Sequence, residues 1–382
     1  MTMLKLNITE VRKLCLVVNF LIAVLLLIGF NCFTVQAVPQ TFTIAFNVAK
    51  THSVVAVAPT NRETIQQKCR LLTAINPRSV IISSTILNSQ AVNLKFTEFS
   101  QSSSEDTSEA IGQSLQPPVI ILHGLLGNKR NFSSIASSLS KQLRSKRKIY
   151  VVDVRNHGDN THDWRWDMSY SSMAADVAYF CDQHNIKSPV IVGHSMGGKV
   201  AQAVALLYPK LVSGLCIIDI APVEYTPEND GSWRAVKLII DALVSLDLDG
   251  RPGVTKKDID LDLRKTVEDP ALRSFVLTNI DMDRSTGVLR WKINLDAIAN
   301  QLDIIAGFDL GEKSSFEDPL QYEGDTFFIN GGASRFVRSV HMKTIADYFP
   351  NHMLTTIRGA GHWVHAEAPD ATLALLKKYL DR

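Results

Sequence analysis

Five consecutive residues, Gly193, His194, Ser195, Met196 and Gly197, constrain this chain more than any other stretch. They follow a short apolar run at residues 189–192 and precede a helical pattern that starts at Gly198. Strand, sharp turn and helix in immediate succession is the context in which G-x-S-x-G lifts a serine off a sheet with its hydroxyl exposed. Glycines at both ends let the backbone pinch, and the helix amino terminus behind the serine favours negative charge beside it. The plainer alternative, a glycine-rich turn whose serine only caps the helix, makes no use of the preceding strand.

The surroundings extend the same pattern. Residues 93–99 alternate apolar and polar and predict an edge strand. Short continuous apolar runs at 118–122, 148–154, 189–192, 215–220, 326–329 and 354–357 predict buried strands. Between them, residues 132–143, 172–184 and 200–208 have helical periodicity. Buried strands alternating with helices imply an α/β architecture, a mostly parallel sheet flanked by helices on both faces. Right-handed crossovers then collect the strands' carboxyl ends on one edge, where ligands bind. Residues 222–321 break the rhythm. They carry helical patterns at 233–246, 256–267, 270–279 and 293–308 and no strand of comparable quality. They are expected to form a helical cap over the catalytic edge.

Composition bears mainly on what to exclude. With 46% hydrophobic and 20% charged residues, the chain is neither disordered nor a coiled coil. A net charge of +2 provides no basic field for nucleic acid. The five cysteines show no C-x-x-C pair or zinc-type spacing. Three of them, Cys15, Cys32 and Cys69, fall in the first hundred residues. Cys181 and Cys216 lie in apolar segments and are expected to behave as small hydrophobes.

Those first hundred residues differ from the rest. Lys5, Arg12 and Lys13 precede an apolar run at 14–30, followed by small and apolar residues at 35–38, so residues 1–39 read as a signal peptide or signal anchor. Residues 40–92 hold many basic and hydroxyl side chains but the single acid Glu63, the composition of a transit-like or linker segment. The leader is expected to bring the chain into the secretory pathway or an organelle, plastid or mitochondrion. Membrane contact through the N-terminal segment follows if the apolar run is kept as an anchor.

A serine nucleophile needs a base. Among ten histidines, His362 stands in a loop after the last predicted strand and before the final helix, which gives the chain order serine, acid, histidine. His365 is the runner-up. The usual place for the acid, after the penultimate strand, holds Gly331, Gly332, Ala333, Ser334 and Arg335, with no carboxylate. Asp219, at the carboxyl end of the strand that follows the nucleophile's helix, is preferred because a carboxylate between apolar neighbours needs a partner. Asp296, on a cap helix, is the rival. The small residues within the segment His123, Gly124, Leu125, Leu126 and Gly127 suit a close approach of backbone to a substrate carbonyl. The amides of Leu125 and Met196 are the expected oxyanion donors. Gly124 allows that approach, and His123 is read as a hydrogen-bonding residue of the loop rather than a proton shuttle. Lys129, Lys199, His157 and His162 are assigned to loop ordering, with no chemistry.

The segments HGLLGNKRNF (123–132), VVDVRNHGDN (151–160), GHSMGGK (193–199), IDIAPVEY (218–225), WKINLDAI (291–298) and AGHWVHAEAP (360–369) occur in this order. Together they resemble the family of alpha/beta hydrolase domain-containing protein 11 and its bacterial esterase relatives, over residues 94–382. The resemblance implies an alpha/beta-hydrolase fold with a helical cap. It also implies a serine esterase or thioesterase acting on small-molecule acyl substrates, without metal or cofactor, through a triad whose serine and histidine fall on Ser195 and His362. Both the Asp219 and the Asp296 segments match, so the resemblance leaves the acid undecided. Two other readings remain beside it: a non-catalytic ligand-sensing protein on the same fold, and a carbon–carbon hydrolase or lyase using the same triad.

Overall fold

The computed structural model describes residues 91–101, 116–226, 231–246, 248, 253–283, 285–310 and 320–382, together with the backbone of three earlier strands. The chain divides into two compact units, Met1–Ile82 and Ser83–Arg382. In the first, β1 (Phe33–Val38), β2 (Thr41–Val48) and β3 (His52–Pro59) pair antiparallel in that order. The apolar run at 14–30 and the serine-rich stretch at 102–109 lie outside the described residues, as does the rest of the leader apart from these strands and residues 91–92. Among the described residues, no helix is long and apolar enough to cross a membrane.

The second unit is built on a seven-stranded sheet in the order β12-β11-β8-β7-β5-β6-β4. Its strands are β4 (Phe96–Phe99), β5 (Val119–Leu122), β6 (Ile149–Val152), β7 (Val190–His194), β8 (Gly214–Ile218), β11 (Thr326–Gly331) and β12 (His352–Ile357). All neighbours run parallel except β4, which pairs antiparallel with β6 at one edge. Alternation along the strands sorts their side chains between the two faces. Val119 and Ile121 join the core under helices Ser133–Gln142 and Pro369–Leu380. Ile120 and Leu122 join the core under helices Tyr170–Gln183 and Met196–Leu207. Because β5, β6, β7 and β8 are buried on both faces, they are continuous apolar runs rather than alternating ones.

The insert between β8 and β11 contains helices Gly231–Val244, Lys256–Leu263, Pro270–Leu277, Leu295–Asn300 and Leu302–Ala306. Two features differ from the sequence reading. Residues 293–308 form two short helices, because Gln301 leaves helical dihedrals at φ −110°. The insert also holds a hairpin, β9 (Ile280–Met282) paired antiparallel with β10 (Leu289–Trp291), where no strand was expected. Each strand has three residues, and of these only Ile280 and Leu289 are buried. That is too short for a period-2 pattern to register.

Candidate active site

The strand ends assemble the site. Ser195 directly follows β7 and holds a strained backbone, φ 52° and ψ −123°, before helix Met196–Leu207 begins. The flanking glycines are required by space. A Cβ on Gly193 would lie 2.2 Å from the Gly197 carbonyl oxygen, and one on Gly197 would lie 2.3 Å from that of His123. The strain at Ser195 persists because its amide donates to Ile218 O at 3.0 Å and its carbonyl accepts from Lys199 N–H.

Asp219 directly follows β8, also with a positive φ of 54°, and is fully buried. Its Oδ1 accepts from the Gly331 amide at 2.9 Å. Its Oδ2 accepts from Ser334 Oγ and from His362 Nδ1, the latter at 2.7 Å. His362 Nε2 stands 2.9 Å from Ser195 Oγ. A carboxylate only accepts, so Nδ1 carries the proton and Nε2 is left to accept from the serine hydroxyl. The loop 331–335, which offered no acid, instead supplies donors that hold the carboxylate.

The ring of His362 is packed against Phe336 at a centroid distance of 4.0 Å. Its backbone carbonyl accepts from His194 Nε2 at 2.9 Å. His194 is buried beside the rings of His362 and His365, and its pKa is pushed well below the usual value by burial and then by those neighbours. It stays neutral, with its proton on Nε2. Neither the Ser334 contact nor the His194 contact was read from the sequence, since serine and histidine in such loops carry no distinguishing local signal. Asp296 is exposed in the first turn of helix Leu295–Asn300 and is not brought to His362.

Beside the serine, Gly127 N–H donates to Gly124 O at 3.0 Å and closes a turn with Leu125 and Leu126 at its centre. Leu126 has φ 59°, a left-handed conformation that costs a side-chain-bearing residue roughly 1–2 kcal/mol. Bonds on both sides keep it there. Its amide donates to His157 Nε2 at 3.2 Å, and its carbonyl accepts from Asn279 Nδ2 at 2.7 Å. His157 donates through Nδ1 to Arg155 O, and burial lowers its pKa to about 3. His123 is equally committed, with Nδ1 to Gly124 O and Nε2 accepting from Val154 N–H. Met196 is the first residue of its helix, so its amide has no intrahelical partner.

These groups open into a cavity of about 340 Å³ between sheet edge and cap. Its lining includes Gly124, Leu125, Ser195, Met196 and His362 and, from the cap, Trp233, Val236, Leu272 and Phe275. Among the described residues, no Asp or Glu lines it. Lys199, fully buried, donates to Val223 O, Ala306 O and Gly307 O at 2.7–2.8 Å and so ties the start of the insert and the end of its last helix to helix Met196–Leu207. Lys129 is spent on Asp153 at 2.5 Å and on Asp159. Cys181 and Cys216 are buried free thiols, with burial raising both pKa values, that of Cys181 to about 12.

A strand-end serine bonded to a histidine and a buried carboxylate, on a mostly parallel sheet with a helical insert, defines the class. Residues 117–369 match the alpha/beta hydrolase fold family, and the chain belongs to it. It is 34% identical over 271 residues to the mouse protein named sn-1-specific diacylglycerol lipase ABHD11, covering 70% of this chain and 82% of that one. Esterase YbfF of Escherichia coli is 29% identical over 266 residues, covering 69% of this chain and 93% of YbfF. Among solved structures, a marine microorganism esterase aligns with a TM-score of 0.66 at 32% identity, over 76% of this chain and all of that one. The fold and the family resemblance expected from the sequence are both met.

Proposed function

We propose that this protein is a serine hydrolase that cleaves carboxylic ester or thioester bonds of apolar acyl substrates through an acyl-enzyme. The observation that carries this reading is the hydrogen-bonded row Ser195–His362–Asp219 opening on an apolar cavity. The relatives named lipase and esterase support ester hydrolysis as the reaction class.

In this mechanism His362 Nε2 takes the Ser195 proton as Oγ attacks the acyl carbon. Asp219 fixes the tautomer and stabilises the imidazolium that forms. The amides of Leu125 and Met196 receive the negative charge on the carbonyl oxygen, a term worth about 3–4 kcal/mol per donor. The bond to the leaving oxygen or sulfur breaks, and His362 returns its proton to that atom. Water then adds to the acyl-enzyme by the same route, giving the carboxylic acid and free Ser195. The cap's apolar wall takes the acyl chain. Catalysis belongs to residues 93–382, with the cap at about 222–321. Residues 1–92 serve as an address, a reading that rests on their composition.

Fluorophosphonate labelling tests the nucleophile. Wild type labels and turns over p-nitrophenyl esters, whereas Ser195→Ala does neither, with kcat at least about 10⁴-fold lower. Equal labelling of the two proteins sinks the assignment.

A further inference from the structure

The base of the cap hairpin is bonded to the body at the turn beside Ser195. Asn279, immediately before β9, is 1% exposed and sends its side-chain amide into the body to the Leu126 carbonyl, 153 residues away in sequence. Its own carbonyl accepts from Lys292 N–H at 2.7 Å, which locks it to the other hairpin strand. Lys292 Nζ in turn lies 3.4 Å from Asp159. The next residues along, at Asn294, bond to Asn156 by backbone and side chain. The hairpin is thus anchored on the two body loops, 124–129 and 153–160, that His157 and Lys129 bind together.

We propose that Asn279 is a positioning residue for the oxyanion hole: by holding the Leu126 carbonyl, the cap keeps the Gly124–Gly127 turn in the conformation that presents the Leu125 amide to the reacting carbonyl. This rests on the acyl-transfer mechanism above. The turn has its second central residue at positive φ, a position that favours glycine or asparagine, yet leucine occupies it. Such a conformation survives where its surroundings over-determine it. Here the two bonds come from different parts of the chain: His157 from the body and Asn279 from the cap. Loss of the cap bond frees the Leu126 carbonyl and lets the turn relax, which moves the Leu125 amide. An oxyanion donor stabilises charge that develops only in the transition state, so the effect falls on kcat rather than on KM.

The test uses the full chain and p-nitrophenyl butyrate. Complete loss of one oxyanion donor lowers kcat by about 10²–10³-fold, so a displaced donor in Asn279→Ala is expected to lower it by roughly 10–100-fold, with KM within about threefold. The affinity of a trifluoromethyl ketone, which mimics the tetrahedral adduct, is expected to fall by the same factor as kcat/KM. Arg290→Gln, in the same hairpin but on an exposed pair with Asp283, serves as the control and keeps kcat within about twofold. Should Asn279→Ala not fold, amide exchange of the wild type decides. Binding of the ketone slows exchange both in 125–127 and in 279–292, and protection confined to the turn overturns the coupling. Unchanged kcat in folded Asn279→Ala also overturns it. If wild type itself fails to turn over the ester or take the fluorophosphonate, the acyl-transfer reading falls first, which separates the two failures.

Discussion

At the sheet edge, Ser195 and Asp219 each sit one residue beyond a central strand, with nearly equal positive φ values of 52° and 54°. The cap meets the same cavity quite differently, through apolar side chains and a few side-chain-to-backbone bonds such as those of Asn279 and Lys199. The ends of β7 and β8 are fixed by parallel ladders on both sides. The cap is joined to the body by shared apolar packing and by scattered bonds between distant segments, some of which depend on one side chain. For the proposed mechanism, the edge suits the groups that move protons, and the cap suits shaping the cavity and steadying the strained turn at Leu126.

The largest way to break this contrast lies on the edge. Asp219→Asn is expected to lower kcat by about 10³–10⁴-fold, because the amide favours the wrong tautomer of His362. Asp296→Asn, in the cap, is expected to stay within about twofold. Steady-state turnover of a p-nitrophenyl ester compares the two, and loss only in Asp296→Asn would reverse the assignment of the acid. A smaller effect is expected where cap and body join. Lys199→Met removes the donor from the carbonyls of Val223 and Gly307, while Ala306 O keeps the Tyr225 amide, at a cost of about 2–4 kcal/mol. Amide exchange should then show the cap helices losing protection before β7 and β8. Uniform loss across both regions would mean that the cap has no independent stability.

The smallest effect concerns pH and the buried imidazoles behind the edge. His365, stacked on Phe132 at 4.3 Å, has its pKa lowered by burial to about 4, and His157 to about 3. Each is neutral in the folded chain and takes up a proton on unfolding once the pH is below about 6.5. The unfolded state then binds more protons, so stability is full above that value and is lost as pH falls towards 4 and 3. At pH 5 the loss is about 2 kcal/mol per histidine. His365→Phe, which keeps the ring, should flatten the fall of the thermal midpoint between pH 7 and 5. An unchanged slope would show that His365 is not one of the responsible groups.

Much of the edge could be read from the sequence because its determinants are local. Gly193 and Gly197 bracket Ser195 within one turn, and an apolar run ends at each strand's carboxyl terminus. His362 followed from its place between the last strand and the last helix. The cap hairpin did not, since two three-residue strands leave no periodicity to detect. Nor did the roles of Ser334 and His194, whose residue types have many ordinary uses in loops.

By itself the sequence determined the α/β alternation, the strand–serine–helix turn, the position of the insert and the places of the serine and histidine that the fold brings together, since each of these depends on neighbours a few residues away. The sequence preferred Asp219 to Asp296, but only the tertiary structure set Asp219 beside His362, across 143 residues, and brought Asn279 to Leu126 across 153. Both carboxylates are compatible with their local segments. What separates them is which strand ends lie side by side once the crossovers close, a property of the packed sheet that no single stretch of chain contains.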